Sequence, residues 1–181
     1  MRITDLLVPQ SVLLNGPATN KTEAIHMLAD LMEASGCLSD KDVYLADVLA
    51  REEAGSTGLG DGIATPHAKS KGVATAGLAA MVIPEGIDFD SIDGKPARLF
   101  FMIAAPEGEA DAHIELLSRL AMMVIDPDFR EALIRAKSVY DFLALIDAKE
   151  DDRFQPTAAN AAAATEEAAS DATNAADTTN T

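Results

Sequence analysis

The residues best suited to chemistry lie in one glycine-rich segment, residues 51–69, which begins with Arg51 and contains His67. Four glycines within eight positions, at 55, 58, 60 and 62, precede the Pro66-His67 pair. Glycines let the backbone turn sharply and direct N–H groups toward a bound group, although they would equally serve a tight connection. Proline stiffens the backbone beside the histidine, so we expect a fixed, displayed imidazole.

A histidine displayed in this way suits three kinds of chemistry. Imidazole titrates near neutrality and is nucleophilic when neutral, which suits a general base, a metal ligand or a covalent carrier of a phosphoryl group. A lone histidine is also commonly structural. His113 lies near the start of an expected helix, where free N–H groups favour phosphate, but a plain surface role competes. His26 lies within an amphipathic helix and is expected to be structural.

Familiar nucleotide, hydrolase and metal motifs do not match the segment. No Gly-Lys-Ser/Thr follows the glycines, and their spacing differs from Gly-x-Gly-x-x-Gly. Ser56 lacks the Gly-x-Ser-x-Gly context of a hydrolase nucleophile. A metal site built from His67, His113 and nearby acids such as Asp61 stays open as a rival, without the His-Glu-x-x-His or paired-cysteine spacing that would favour it.

Charge and composition separate a folded domain from a tail. The chain has 30 acidic and 14 basic residues, a formal charge of −16, and no basic cluster, so nucleic acid is not an expected partner. From Pro156 to the end there is no Val, Leu, Ile, Met or aromatic residue. We therefore predict one folded domain over residues 1–150 and a disordered, acidic, Ala/Thr-rich linker or tail over residues 151–181.

The same composition bears on location. No stretch approaches the roughly 18 consecutive apolar residues of a spanning helix, and the N-terminal residues do not resemble a signal peptide. Cys37 is the only cysteine, so an intrachain disulfide is excluded, and it has the context of a bystander. We expect a cytoplasmic protein that does not insert into a membrane.

Apolar periodicity predicts helices on both sides of a strand-rich middle. One helix is expected from a cap at Thr19 or Asn20 to Gly36, and another from a cap at Ser39 to Gly55, with Arg51 in its last turn. Two central strands are expected over residues 73–83, closed by Pro84, and 98–103, closed before Pro106, with short strands at 12–14 and 63–64. Three further helices are predicted after Pro106, after an N-cap at Asp126 and from Ser138; the stripe of the first comprises Ile114, Leu117, Ala121 and Val124, widened by Leu116, Leu120 and Met123. Helices that flank strands in this order favour a layered α/β domain.

A family resemblance rests on the glycine-rich segment and on His113. The run from Arg51-Glu52 through Ser56-Thr57-Gly58, Gly60 and Gly62-Ile63-Ala64 to Pro66-His67 resembles the signature of the type-2 EIIA domains. These form the fructose/mannitol family of the bacterial phosphoenolpyruvate-dependent sugar phosphotransferase system. His113, in the context Ala-His-Ile-Glu-Leu-Leu, resembles the second histidine of that family, and the likeness covers about residues 1–150.

The resemblance implies a phosphoryl relay without a metal or another cofactor. His67 would accept a phosphoryl group through Nε2 from the phosphohistidine of HPr and pass it to a cysteine of an EIIB domain, with EIIC in the same or another chain. Arg51 and His113 would stabilise the phosphoryl oxygens. Ser56, Thr57, Gly58, Gly60 and Gly62 would form the supporting loop. The implied fold is an α/β/α sandwich with a mixed central sheet flanked by helices.

Elementary chemistry agrees with that relay. A phosphoryl group in transit spreads negative charge over its equatorial oxygens, and the planar fork of Arg51 binds two oxygens at once. The glycines would let a loop of another protein approach closely. The signature from Arg51 to His67, with His113, leads us to expect a phosphocarrier for sugar transport, with fructose as the sugar. The tail resembles linkers to EIIB and EIIC modules and therefore favours transport over regulation. A nitrogen-type regulatory EIIA is the alternative, and a metal-dependent hydrolase is a remote one.

Overall fold

The computed structural model describes residues 2–108 and 110–154, with residues 110–113 and 153–154 described by their backbone alone. The helices are α1 (Ile3–Leu6), α2 (Lys21–Ala34), α3 (Lys41–Glu53), α4 (Ala110–Met123), α5 (Pro127–Arg135) and α6 (Val139–Phe154), and a 3₁₀ turn covers Pro9–Ser11. The strands are β1 (Val12–Leu13), β2 (Gly58–Gly60), β3 (Ile63–Ala64), β4 (His67–Ser70), β5 (Gly77–Ile87) and β6 (Ala97–Pro106). The last helix thus continues past Glu150, and the predicted tail from residue 155 onward lies outside the described residues.

The strands form one mixed sheet with two long strands at its centre. The order is β1-β5-β6-β3-β2, and β4 also pairs with β6. Strands β5 and β6 are antiparallel, β1 is parallel to β5, and both β3 and β4 are parallel to β6. The predicted mixed central sheet is therefore confirmed.

Alternate residues of the central strands pack into two different helical layers. In β5, Ala79, Met81 and Ile83 pack with residues of α2 and α3. Their neighbours Leu78, Ala80 and Val82 point to the other side and pack with residues of α1, α4, α5 and α6. A strand buried on both faces in this way reads as a continuous apolar run, and the layers confirm the predicted α/β/α sandwich.

Helix starts were the most predictable local features. Asn20 caps α2 by accepting a hydrogen bond from the Glu23 N–H at 2.9 Å, and Asp126 caps α5. In α6 the Ser138 hydroxyl accepts from the Asp141 N–H at 3.0 Å. The predicted caps at Asn20 and Asp126 are confirmed, and α6 begins directly after Ser138.

The predicted cap of α3 is wrong. Asp40, one residue after Ser39, has the extended backbone of an N-cap and accepts from the Val43 N–H at 3.1 Å. The Ser39 hydroxyl instead donates to the Lys71 carbonyl. Both residue types are good caps, and the carboxylate lies at the position from which it reaches the first free N–H groups.

The ends of the long strands were also mispredicted. β5 starts at Gly77 instead of residue 73, and it continues through Pro84 to Ile87. The pairing with β6 shifts register between Val82 and Ile87, and such an irregularity tolerates a proline that cannot donate to the ladder. Pro106 likewise ends β6 instead of following it.

Helix α4 is rotated relative to its predicted stripe. Leu116, Leu120 and Met123 are buried against the sheet. Ile114 is 58% exposed and Ala121 is also exposed, although Val124 is buried as expected. Two overlapping apolar rows are present in this sequence, and only packing against β6 selects the one that turns inward.

Candidate active site

His67 lies where the pairing of one sheet edge is interrupted. Ala64 of β3 pairs with Phe100 of β6, and His67 of β4 pairs with Ile103 in the same register. Between them the chain leaves the strand at Thr65-Pro66, where the Pro66 carbonyl still accepts from the Ile103 N–H at 3.1 Å. Proline fixes the backbone at this interruption, so His67 is held by strand pairing on one side and a stiff residue on the other.

The ring of His67 has a defined hydrogen-bond partner at Nδ1. The Nδ1 atom is 2.8 Å from the carbonyl oxygen of Thr65. A carbonyl oxygen only accepts hydrogen bonds, so Nδ1 carries the hydrogen and the lone pair of the neutral ring is at Nε2. The half-buried imidazole is therefore oriented to react through Nε2.

A cleft of about 380 Å³ gathers charged side chains around this histidine. Asp47 and Arg51 are one turn apart on α3, and Lys69 lies two residues beyond His67 on β4. Arg51 Nη1 donates to the Gly55 carbonyl at 2.8 Å. The structure thus brings the predicted pair Arg51 and His67 together and adds a second cation and a carboxylate.

Strand β6 holds both walls of the cleft in place. The buried Tyr44 of α3 donates its hydroxyl hydrogen to the Ile103 carbonyl at 2.8 Å. Ile103 is also the residue that pairs with His67. Burial raises the pKa of Tyr44 well above its usual value, so the hydroxyl stays a donor. The helix that carries Arg51 and the strand that carries His67 are anchored to the same residue.

The predicted supporting loop is anchored by its own side chains. The Ser56 hydroxyl donates to the Phe89 carbonyl at 2.7 Å and accepts from the Gly58 N–H at 3.0 Å. Gly58 has no room for a side chain, because a Cβ there would lie 2.8 Å from the Ser91 Cα. This glycine therefore admits a close approach of Ser91 within the chain.

The turn of the loop needs left-handed backbone. Gly60, Asp61 and Gly62 have positive φ values of 88°, 54° and 78°, which glycine adopts without strain. The Asp61 N–H donates to the Asp93 carboxylate at 3.0 Å. Hydrogen bonds from the Lys95 and Asp61 N–H groups lower the pKa of Asp93, so its carboxylate stays charged and holds the turn.

Three residues at the site have no role in the sequence-based prediction. Asp47 and Lys69 line the cleft, and Glu52 is buried beside Arg51. A strand assigned at His67 would have placed Lys69 on the same face, because strand side chains alternate. Glu52 follows Val48 by one helical turn. An acidic residue on the apolar stripe of α3 was therefore the sequence feature that could have revealed its burial.

The remaining histidines and the only cysteine are His113, His26 and Cys37. His113 belongs to the first turn of α4, but its side chain lies outside the part of the chain that the structure describes. His26 is exposed on α2, and Cys37 is buried, which raises the pKa of its thiol. Among the described residues, no group of three potential metal ligands occurs and no helix is long and apolar enough to cross a membrane.

A second pocket, an apolar groove of about 280 Å³, is lined in part by α4. Thr65, two residues before His67, lines it together with Leu59, which is 47% exposed. The outward row of α4 contributes Leu117 and Ala121. Thr65 therefore lines an apolar groove, and His67, two residues later, lines the charged cleft.

Comparison with known proteins identifies close relatives. A fructose-specific EIIA component of Haloferax volcanii is 39% identical over 150 residues, covering 80% of this chain and 97% of that protein. A fructose-specific EIIABC component of Bacillus subtilis is 39% identical over 138 residues, 76% of this chain. The chain spans only 22% of the length of that multidomain relative.

Solved structures with the same fold include a nitrogen regulatory protein and a protein named enzyme IIAMTL. The nitrogen regulatory protein IIA-Ntr of Neisseria meningitidis is 30% identical with a TM-score of 0.68, covering 80% of this chain and 98% of that one. Enzyme IIAMTL of Escherichia coli, in complex with phosphorylated enzyme IIBMTL, is 28% identical with a TM-score of 0.69, covering 79% and 99%.

The family model that matches is described as phosphoenolpyruvate-dependent sugar phosphotransferase system, EIIA 2, and it spans residues 5–149. That range begins within α1, ends within α6 and includes the residues of the cleft around His67. The chain therefore belongs to the EIIA type 2 family of the sugar phosphotransferase system.

Proposed function

We propose that this protein is a phosphocarrier in which His67 accepts a phosphoryl group from phospho-HPr and passes it to a cysteine of an EIIB domain. The observation that carries the proposal is the Nδ1 hydrogen bond to the Thr65 carbonyl, which leaves the lone pair at Nε2 in a cleft with Arg51 and Lys69. The relay works in the cytoplasm and serves uptake of fructose, the sugar named for the Haloferax and Bacillus relatives.

The transfer step uses these groups in a defined way. The bond from Nε2 to phosphorus forms as the N–P bond of the ring-protonated donor histidine breaks, and the electron pair of that bond returns to the donor nitrogen. The ring of His67 becomes positively charged and keeps its Nδ1 hydrogen on the Thr65 carbonyl. Arg51 and His113 bind the equatorial oxygens, and the loop at residues 56–62 holds the geometry.

Partner binding is supported by the surface around the cleft. The apolar groove beside Leu59 and Leu117 offers contact area to a carrier that must bring its own reactive group to His67. The chain's formal charge of −16 favours a carrier with basic residues around its active site, because such complementarity speeds encounter. The complex of enzyme IIAMTL with phosphorylated enzyme IIBMTL supports an EIIB acceptor.

The direct test is phosphorylation with purified components. Incubation with phosphoenolpyruvate, enzyme I and HPr is expected to label the protein, and His67→Ala should abolish labelling while His26→Ala, an exposed histidine in α2, should not. Arg51→Ala and His113→Ala should keep the fold and slow transfer to EIIB by about 100-fold, with Arg135→Ala as the exposed control. Undiminished labelling of His67→Ala would overturn the proposal.

A second candidate is regulation by the phosphorylation state of the same histidine. The likeness to nitrogen regulatory IIA-Ntr of Neisseria meningitidis favours it. The two functions are separated by a pull-down with phosphorylated and unphosphorylated protein. Retention of a non-transport partner by one form, without transfer to an EIIB domain, would favour regulation. The family assignment leaves the metal-dependent hydrolase without a supporting observation.

A further inference from the structure

Glu52 is a charged side chain in a place where charge is costly. It follows Arg51 on α3, yet its side chain is only 5% exposed. Its inner-facing neighbours on the same helix are apolar, with Val48 fully buried one turn before it. A buried carboxylate is tolerated only when hydrogen bonds and a counter-ion satisfy it, so its partners define what it holds in place.

The partners of Glu52 come from two other parts of the chain. One carboxylate oxygen accepts a hydrogen bond from the Thr57 hydroxyl, and the other accepts from the Thr57 N–H at 3.2 Å. Lys21 at the start of α2 places its Nζ 2.9 Å from the second oxygen. The carboxylate therefore fixes both the backbone and the side chain of Thr57 against α3.

Thr57 connects this clamp to the reactive histidine. Its carbonyl oxygen accepts a hydrogen bond from the Thr65 N–H at 3.0 Å. The carbonyl of the same Thr65 is the acceptor for Nδ1 of His67 at 2.8 Å. A continuous series of hydrogen bonds thus runs from Glu52 through Thr57 and Thr65 to the imidazole.

We propose that Glu52 is a positioning residue for His67. By holding Thr57, Glu52 fixes the position and direction of the Thr65 carbonyl. That carbonyl selects the His67 tautomer with the hydrogen on Nδ1 and the lone pair on Nε2. The adjacent Arg51 reaches the cleft from the same helical turn, so one turn of α3 supplies both a cation for the phosphoryl group and the anchor for its acceptor.

Burial explains why an acid serves here. An exposed clamp would exchange its hydrogen bonds with water, whereas a desolvated carboxylate that loses Thr57 would keep only its contact with Lys21. The loop is therefore confined to the arrangement that satisfies the charge. The kinetic consequence rests on the proposed phosphocarrier function, but the tautomer is a property of the unmodified protein.

The test compares Glu52→Gln with Glu53→Gln, the same substitution at the exposed next residue. Glutamine removes the charge and one of the two acceptor oxygens that face Thr57 and Lys21. We expect ¹⁵N NMR of the His67 ring to show a smaller population of the Nδ1–H tautomer in Glu52→Gln. Phosphorylation of His67 by phosphoramidate, at equal folded concentration, should slow about tenfold, the order expected for a slightly misplaced reacting group. Glu53→Gln should match the parent in both.

Thr57→Val and Thr57→Ser keep the test decisive if Glu52→Gln does not fold. Valine removes only the hydroxyl that donates to Glu52, so it should shift the tautomer and slow phosphorylation, and serine should restore both. A folded Glu52→Gln or Thr57→Val with the parent tautomer and rate overturns the proposal. If parent His67 accepts no phosphoryl group, the phosphocarrier function fails, while the tautomer measurement still decides the role of Glu52.

Discussion

Two glutamates are buried in the part of the chain that the structure describes, and they lie in opposite helical layers of the sandwich. Glu52 on α3 holds the loop that precedes His67. Glu150 on α6, with a side chain 3% exposed, accepts from the Ile3 N–H at 3.1 Å and lies 3.3 Å from Arg119 of α4 and 3.7 Å from Arg2. Glu52 thus holds the loop before the reactive histidine in one layer, and Glu150 holds the start of α1 in the other.

The counter-ions differ in a way that matches these positions. Among the described residues, Lys21 is the cation paired with Glu52, and its Nζ also lies 4.9 Å from the centre of the Phe89 ring. Glu150 has two arginines, which also pair with other carboxylates of the same layer. A buried acid therefore stabilises the elements to which its hydrogen-bond and ion-pair partners belong. Its effect on phosphoryl transfer depends on whether those elements hold the active site.

The largest loss of stability is expected from substituting Glu150, which lies in the helical layer opposite the one that contains α3. Glu150→Gln should lower the free energy of unfolding by about 2 kcal/mol, below the usual cost of breaking a buried pair because both arginines are partly exposed. Urea denaturation measures this, with the exposed Glu115→Gln as a control that touches the same Arg119. Phosphorylation per folded molecule should be unchanged, and a slowed rate would end the distinction between the two glutamates.

A smaller effect is expected from removing the cation at Glu52. Lys21→Met leaves a buried carboxylate with Thr57 alone and should cost about 1 kcal/mol in thermal or urea unfolding, together with slower phosphorylation of His67. Lys41→Met removes the same charge from an exposed pair with Asp30, so it should change stability less and leave the rate unchanged. Equal effects of the two substitutions would show that burial of Glu52 is unimportant.

The smallest effect concerns a half-buried carboxylate, Asp126, which caps α5 and lies 2.7 Å from Lys149 of α6. The hydrogen bond from Lys149 lowers the pKa of Asp126. A carboxyl group whose pKa is lower in the folded state stabilises the fold above its unfolded pKa and loses that effect as pH falls through the folded pKa. The stability deficit of Asp126→Asn at pH 7 should therefore shrink below about pH 4; a deficit independent of pH would contradict this.

Local features of this fold could be predicted from sequence, and features that depend on pairing could not. The caps at Asn20, Asp126 and Ser138 need only the first turn of each helix. The limits of β5 depend on a register shift around Pro84, which is set by β6. The short strand at His67 has little periodicity of its own and exists because β6 pairs with it.

The candidate site divides in the same way. The meeting of Arg51 and His67 in one cleft was expected from the family signature, and the geometry agrees with it. The burial of Glu52 was hidden, because its partners Lys21 and Thr57 come from a different helix and from a loop. Position on the apolar stripe of α3 signals an unusual acid, but only the packed structure identifies its counter-ion.

The interruption at Thr65-Pro66 also bears on aggregation. β4 is an edge of the sheet in the described residues, and the remaining edges are the short strands β1 and β2. Open edges can pair with strands of other chains, and short length, proline and exposed lysine are the usual protections. Pro66 and Lys69 provide such protection at the edge that carries His67. The reactive histidine can thus be presented at an open sheet edge while intermolecular strand pairing is discouraged.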